Sequence, residues 1–402
     1  MQKPMSRSEF IALIAMMFAT IAFSIDAMLP AMPDIGRELS PDDVNRAQLI
    51  LTSFVLGLGI GTFFTGPLSD SFGRKPVIFV GLTLYVVAAA AAWFSSSLEW
   101  ILVARVVQGI GAASPRIVGI AIMRDLYSGR EMAKMMSIAM MIFTIFPAFA
   151  PMMGALIIAF TGWRGIFLAF ILFAALTATW MAVRLPEPLP LANRRQFRAP
   201  LLLDAVREML EHPTVRLSIL VQCLCLGMLF TLLSQVQPVY DVIFDRADSF
   251  PFWFGAIALI SGGASILNAA VVGRVGMRRM VTWSLAAQIV ASGLVLLMSG
   301  IGLTMDAMFA LFVIWQTSIF FIAGTTLGNL NAIAMEPMGH IAGMAASVIG
   351  AIATVCAVLI AAPIGLLFDG TLYPLAIGIF TCALVGFVLM LQMGRIERRS
   401  VV

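Results

Sequence analysis

The chain has 402 residues, of which 61% are hydrophobic and 11% are charged, and its mean hydropathy is +1.00. A soluble domain of this size would have to hide more apolar surface than one core can hold. The composition therefore excludes a soluble globular protein and favours a protein that crosses a membrane many times. The formal net charge of +4 is too small to indicate a partner such as nucleic acid.

Apolar runs long enough to cross a membrane recur along the whole chain, since one helical span needs about 20 such residues. The runs that qualify are roughly 10–30, 47–66, 77–95, 100–123, 135–160, 165–184, 217–240, 252–273, 280–300, 307–330, 341–367 and 374–394. The sequence therefore predicts an all-α membrane protein with twelve transmembrane helices in two six-helix halves.

Clusters of Lys and Arg indicate which side of the membrane each connection occupies. They lie at both termini and in every second connection, except near Glu336 and His340. Because basic connections stay in the cytoplasm, we expect a multi-pass protein of the bacterial inner membrane with both termini cytoplasmic. The first apolar run follows Lys3 and Arg7, but it is too long for a signal peptide and contains Asp26, so we interpret it as a span.

The longest connection, residues 185–214, divides the chain into an N-terminal half, residues 1–184, and a C-terminal half, residues 215–402. It begins with the proline-rich stretch 186–190, which ends the sixth span. Arg194, Arg195 and Arg198 then lead into residues 201–210, for which we predict a short surface helix. This composition is typical of a basic cytoplasmic linker that lies on anionic lipid.

The connection after the second span carries a specific motif, Gly66-Pro67-Leu68-Ser69-Asp70-Ser71-Phe72-Gly73-Arg74-Lys75-Pro76. Its glycines allow a tight turn, and the Asp carboxylate can accept hydrogen bonds from a helix N-terminus or an arginine. The motif resembles the loop signature of the major facilitator superfamily. The resemblance implies a cytoplasmic latch between helices, formed by Gly66, Asp70, Gly73 and Arg74.

Further segments resemble the bicyclomycin/chloramphenicol-resistance (Bcr/CflA) branch of that superfamily; they are residues 25–33, 105–109, 123–127, 334–337 and 342–343. The resemblance implies a proton-coupled efflux antiporter that exports small drug-like molecules, as multidrug-resistance transporters do. The antiporter motif of the fifth span is incomplete here, as Ala150-Pro151-Met152-Met153-Gly154-Ala155. A proton-coupled importer or facilitator of a small metabolite is therefore the alternative.

Three ionisable residues lie inside the predicted spans, Asp26, Arg105 and Arg116. Each costs at least ~2.5 kcal/mol to insert, so each is a candidate functional residue. Asp26 and Arg105 lie at similar depths, which makes an ion pair feasible, and we predict that they couple transport to protons. Gln108 shares the face of Arg105, and Arg116 lies close to that face; Arg116 either binds substrate or extends to the lipid headgroups.

The candidate substrate-binding residues are polar side chains within spans: Arg116, Gln108, Gln235, Asn268 and Gln316. Helix–helix hydrogen bonding explains those of the C-terminal half equally well. The charged residues of the spans carry a net positive charge whether or not Asp26 is ionised, which predicts a preference for neutral or weakly acidic molecules over lipophilic cations.

No constellation of residues points to an enzyme, a metal or a cofactor. The four cysteines lie in apolar runs, and both histidines, His212 and His340, lie in connections. One embedded carboxylate without a nucleophile or an embedded histidine argues against a membrane-embedded enzyme. The expected partners are a small-molecule substrate, protons and membrane lipid, with no nucleic acid, and the expected state is a monomer.

Overall fold

The computed structural model describes residues 5–194, 197 and 199–400, and every regular element in those ranges is helical. Lys3, Arg195 and Arg198, which the sequence places in basic clusters, lie outside the described residues. The helices of the first part of the chain are α1 (Arg7–Asp26), α2 (Met32–Leu39), α3 (Leu49–Phe72), α4 (Arg74–Phe94), α5 (Leu98–Leu126), α6 (Gly129–Thr161) and α7 (Gly165–Arg184). They are followed by α8 (Ala199–Glu211), α9 (Pro213–Pro238), α10 (Phe250–Val275), α11 (Met277–Ser299), α12 (Met305–Met335), α13 (Ala342–Leu366) and α14 (Tyr373–Ser400).

The described residues contain 11 helical stretches that are long and apolar enough to cross a membrane. One of these stretches, Met305–Leu366, includes both α12 and α13, which are separated by a short 3-10 segment at Glu336–Ile341. The helices thus correspond to the twelve apolar runs, and the predicted all-α membrane fold is confirmed. The surface helix predicted at residues 201–210 is α8.

Helix boundaries follow glycine and proline. Gly73 (φ +101°) separates α3 from α4, and Gly276 (φ +88°) separates α10 from α11. Both glycines also have ψ near 150°, a conformation almost confined to glycine, and a residue with a side chain would pay about 1–3 kcal/mol to adopt it. The first apolar run extends to residue 30, whereas α1 ends at Asp26 and a 3-10 turn, Leu29–Ala31, precedes α2. The structure differs here because Pro30 cannot donate a backbone hydrogen bond to a continuing helix.

The chain forms two compact units. The first contains the described residues of Met1–Asp42 and Ser53–Ala199, and the second contains those of Asp43–Thr52 and Pro200–Val402. The predicted limits of the two halves and of the linker at residues 185–214 remain predictions.

Glycines bring α5 against its neighbours in the first unit. A Cβ atom on Gly109 would collide with the Phe54 carbonyl oxygen of α3, and one on Gly57 would collide with the Val106 carbonyl oxygen of α5. A Cβ on Gly111 would likewise collide with the carbonyl oxygen of Gly81 in α4. Such backbone contact is typical of helices packed within membranes, and it fixes the position of the helix that carries Arg105 and Arg116.

In the second unit, α9 packs against α12, α13 and α14. Residues Asp43–Thr52 also belong to this unit, although in the chain they follow α2 and include the first turn of α3. The Asn45 amide donates a hydrogen bond of 2.6 Å to the Phe368 carbonyl oxygen, just beyond α13. The Gln48 side chain lies against Gly365. A Cβ atom added to Gly365 would be only 2.8 Å from Gln48 Oε1.

Candidate transport site

Asp26 is the last residue of α1, and only 5% of its surface is exposed. Within the described part of the chain, its carboxylate accepts no hydrogen bond and forms no ion pair. Gly154 of α6 lies beside this end of α1, because a Cβ atom there would collide with the Ala27 carbonyl oxygen. The absence of a side chain at Gly154 therefore lets α6 approach the residue that follows Asp26.

A buried polar cluster lies next to Asp26, formed by Ser24 of α1, Tyr85 of α4, and Arg105 and Gln108 of α5. The guanidinium of Arg105 donates 2.8 Å hydrogen bonds from Nη1 to Gln108 Oε1 and from Nη2 to the Ser24 carbonyl oxygen. Arg105 and Gln108 are both fully buried. The cluster thus joins three helices around one charge that is removed from water.

The hydroxyl hydrogens of this cluster can be assigned from geometry. Ser24 Oγ donates to the Thr20 carbonyl oxygen at 2.7 Å and lies 2.5 Å from the Tyr85 hydroxyl. A hydroxyl has one hydrogen, so Tyr85 must be the donor to Ser24. Tyr85 is not among the residues that the sequence singles out, because a lone tyrosine in an alanine-rich apolar run carries no functional signal.

The structure does not pair Asp26 with Arg105. The two residues lie at a similar level, since Arg105 reaches the Ser24 carbonyl oxygen, but the guanidinium donates to that oxygen and to Gln108. Depth along two helices made an ion pair feasible, but depth does not fix the direction in which each side chain points. The coupling roles of both residues remain predictions.

Arg116 lies further along α5 and is half-buried. Its guanidinium carbon is 5.9 Å from the ring centroid of Phe143 in α6. Among the described residues it makes no hydrogen bond and no ion pair. It is therefore a charged group in an apolar segment, and its N–H donors have no acceptor in the part of the chain that the structure describes.

The polar candidates of the second unit are engaged in contacts between helices. Asn329 donates to Asn268 Oδ1 at 2.7 Å, and Tyr240 donates to Gln316 Oε1 at 3.0 Å. Gln235 Nε2 donates to the Ile364 carbonyl oxygen at 3.0 Å. Each of the two glutamines keeps one buried amide atom with no partner among the described residues, Oε1 of Gln235 and Nε2 of Gln316. Gln235 Oε1 can therefore still accept a hydrogen bond from a ligand, and Gln316 Nε2 can still donate one.

The motif between α3 and α4 centres on Arg74, whose side chain is only 3% exposed. Arg74 Nη1 donates to Asp70 Oδ1 at 2.6 Å and to Ser69 Oγ at 2.7 Å, and Nε donates to Asp125 Oδ2 at 2.7 Å. Ser69 in turn donates to the Gly66 carbonyl oxygen at 2.8 Å. The arginine partner expected for Asp70 is thus Arg74, and Asp125 at the end of α5 supplies a second carboxylate that the motif alone does not reveal.

Glu187, from the stretch that follows α7, accepts hydrogen bonds from the first two amides of α4. Its Oε1 accepts from the Arg74 N–H and its Oε2 from the Lys75 N–H, both at 2.9 Å. The Arg194 guanidinium lies close to Gly73. A Cβ atom added to Gly73 would be 2.7 Å from Arg194 Nη2, so this approach requires a residue without a side chain. The connection after α7 is therefore attached to the motif by the Glu187 carboxylate, and the Arg194 guanidinium packs against Gly73.

The polar and charged side chains described in this subsection can bind a small molecule through charge and hydrogen bonds. The Asp26 carboxylate can in addition take up and release a proton. Within residues 5–194, 197 and 199–400, no group of three or more His, Cys, Asp or Glu side chains is placed to hold a metal ion.

Comparison with known proteins places these features in a family. The sequence profile of the Major Facilitator Superfamily matches residues 12–362. The chain is 29% identical over 364 residues to a bicyclomycin resistance protein homolog of Haemophilus influenzae, with 88% of this chain and 87% of the relative covered. It is 36% identical over 163 residues to a chloramphenicol resistance protein of Pseudomonas aeruginosa, with 40% of this chain and 38% of the relative covered.

A crystal structure of a D-xylose-proton symporter superposes with a TM-score of 0.76, covering 95% of this chain and 97% of that one at 12% sequence identity. At that identity the likeness shows the fold alone. The profile match and the relatives confirm the resemblance seen in the sequence motifs. The chain therefore belongs to the major facilitator superfamily of membrane transporters.

Proposed function

We propose that this transporter is a proton-coupled antiporter that exports small drug-like molecules across the bacterial inner membrane, as a monomer with both termini in the cytoplasm. The observation that carries the proposal is Asp26, a carboxylate buried at the end of α1 with no counter-charge among the described residues. The names of the relatives, which refer to bicyclomycin and chloramphenicol resistance, support the substrate class.

In the proposed mechanism, Asp26 takes up a proton from one side of the membrane and releases it to the other. Arginine stays charged, so Asp26 is the only one of the three embedded ionisable residues that can carry a proton. Arg105 holds the end of α1 through the Ser24 carbonyl oxygen, and it therefore links the state of this segment to the position of α5. Gln108, Arg116, Gln235, Asn268 and Gln316 are the proposed substrate contacts.

The Arg74 network supplies the second element of the proposal. Buried hydrogen-bonded charges are costly to separate, because each partner would be left without its counter-charge. We propose that Gly66, Asp70, Gly73 and Arg74 form a latch on the cytoplasmic face that stabilises one conformation of the transport cycle.

The test is transport of a labelled phenicol by purified protein in liposomes with an imposed pH gradient. The wild type should move the phenicol against the flow of protons, and Asp26→Asn should abolish pH-driven movement while expression stays near normal. Asp34→Asn is the matched control, because the Asp34 side chain is partly exposed and pairs with Arg37 at 2.7 Å. Undiminished gradient-driven transport by Asp26→Asn would remove Asp26 from the mechanism, and movement of substrate together with protons would favour the importer.

A further inference from the structure

The first observation is the depth of the Arg116 guanidinium. Arg116 precedes the end of α5 at Leu126 by about ten residues, or roughly 15 Å of helix axis. Phe143 follows the start of α6 at Gly129 by about 14 residues, or roughly 21 Å. Only two residues join these helix ends, so the ends lie at a similar level. A guanidinium 5.9 Å from the Phe143 ring therefore points into the apolar segment and away from the joined ends.

The second observation is that the donors of Arg116 lack acceptors. The guanidinium has five N–H groups, and none of them is hydrogen-bonded to a residue that the structure describes. The Phe143 ring attracts the charge through its π face but offers no oxygen. A charge that lacks hydrogen bonds in an apolar segment is costly, so a group that supplies acceptors should bind there strongly.

The third observation concerns the other charges of the first unit. Arg105 already donates to the Ser24 carbonyl oxygen and to Gln108. Asp26 forms no ion pair with either arginine in the described part of the chain. Arg116 is thus a half-buried positive charge without a negative partner among the described residues of its own unit.

We propose that Arg116 and Phe143 form a subsite for the acidic, aromatic part of a transported molecule. A planar pair of oxygens, as in a carboxylate, matches the fork of N–H groups on a guanidinium, and this geometry gives two parallel hydrogen bonds. The aromatic part of the same molecule packs beside the Phe143 ring. The inference rests on the proposed function, because it adds weakly acidic aromatic molecules to the substrates of that transporter.

The experiment compares two xanthene dyes of similar shape and opposite charge, fluorescein with a free carboxylate and rhodamine 6G with an ester and a positive charge. Fluorescence anisotropy measures the binding of each dye to the purified full-length protein without any proton gradient. The wild type should bind fluorescein more tightly than rhodamine 6G. Arg116→Gln should weaken fluorescein binding roughly 10- to 100-fold and leave rhodamine 6G binding within about threefold.

Two further variants make the result specific. Arg116→Lys keeps the charge but loses the fork of donors, so it should weaken fluorescein binding about tenfold, and it serves as the test if Arg116→Gln does not fold. Arg164→Gln is the matched control: Arg164 also lies over an aromatic ring, 4.1 Å from the centroid of Trp163, but it is paired with Glu38 at 2.6 Å. This control should bind both dyes like the wild type.

Failure to bind fluorescein in the wild type, or binding that is unchanged in both Arg116 variants, would overturn the inference. Tighter binding of rhodamine 6G than of fluorescein by the wild type would do the same. The proposed function stands or falls separately. Binding of fluorescein through Arg116 by a protein that moves no protons refutes only antiport, and pH-driven export with binding independent of Arg116 refutes only this subsite.

Discussion

Replacing Glu187 by Ala tests whether the connection after α7 holds the first turn of α4. The carboxylate accepts from the N–H groups of Arg74 and Lys75 at 2.9 Å and from that of Leu189 at 3.1 Å. Loss of a side-chain cap from a helix N-terminus costs about 0.5–2 kcal/mol, and loss of a negative charge there adds about 0.3–1 kcal/mol. We therefore expect the free energy of opening this turn to fall by about 2 kcal/mol, which corresponds to roughly 30-fold faster amide exchange.

Hydrogen–deuterium exchange of a peptide that contains residues 74 and 75 measures this directly in the purified protein. The control is Glu131→Ala, which removes an acidic residue from the first turn of α6. Glu131 forms an exposed ion pair with Arg7 at 2.7 Å. Exchange at the start of α4 should change by less than about threefold in the control. If exchange there is equally slow in Glu187→Ala and in the wild type, the reasoning about the cap is refuted.

Three further outcomes follow from the contacts described above. Asp70→Ala should slow turnover and leave the substrate-binding constant little changed. The reason is that Arg74 loses one hydrogen-bonded partner, worth about 1 kcal/mol at this partly exposed site. A large loss of binding in equilibrium titrations would place Asp70 in the substrate site instead. Tyr85→Phe should lower the free energy of unfolding by about 1 kcal/mol in denaturant titrations, and an unchanged midpoint would contradict the assigned hydrogen bond to Ser24. Gly154→Ala should destabilise the protein by about 1–3 kcal/mol through its collision with Ala27, whereas Gly263→Ala, with nothing within 4 Å, should not; equal thermal stability of the two variants would rule out the close approach.

The number and type of the long helices could be predicted because each span requires about 20 apolar residues, and few other structures allow such a run. Their ends were less predictable. The run at residues 10–30 places the end of α1 too late, because hydropathy stays high through the 3-10 turn at Leu29–Ala31 and only Pro30 signals the break. Likewise, the sequence shows Pro186, Pro188 and Pro190 as a helix stop but does not show that the intervening Glu187 reaches α4.

The candidate site could be predicted only where a residue is costly in its surroundings. Asp26, Arg105 and Arg116 are conspicuous because charge is rare in apolar spans. Tyr85 and Asp125 are not, since a tyrosine is tolerated in an apolar helix and an acid at a helix end is ordinary. The partners of Arg105 depend on how α1, α4 and α5 are rotated, and that rotation is set by glycine contacts between backbones.

The ten residues Asp43–Thr52 belong to the second unit, but the ribosome synthesises them long before the rest of that unit, which begins at Pro200. A cut in the connection between α7 and α8 would therefore not yield two self-sufficient fragments. The later fragment would lack Asn45, which bonds to the Phe368 carbonyl oxygen, and Gln48, which lies against Gly365. Co-expressed halves of this protein should accordingly depend on each other for stability, and a half grafted from a related transporter should need a matching segment at residues 43–52.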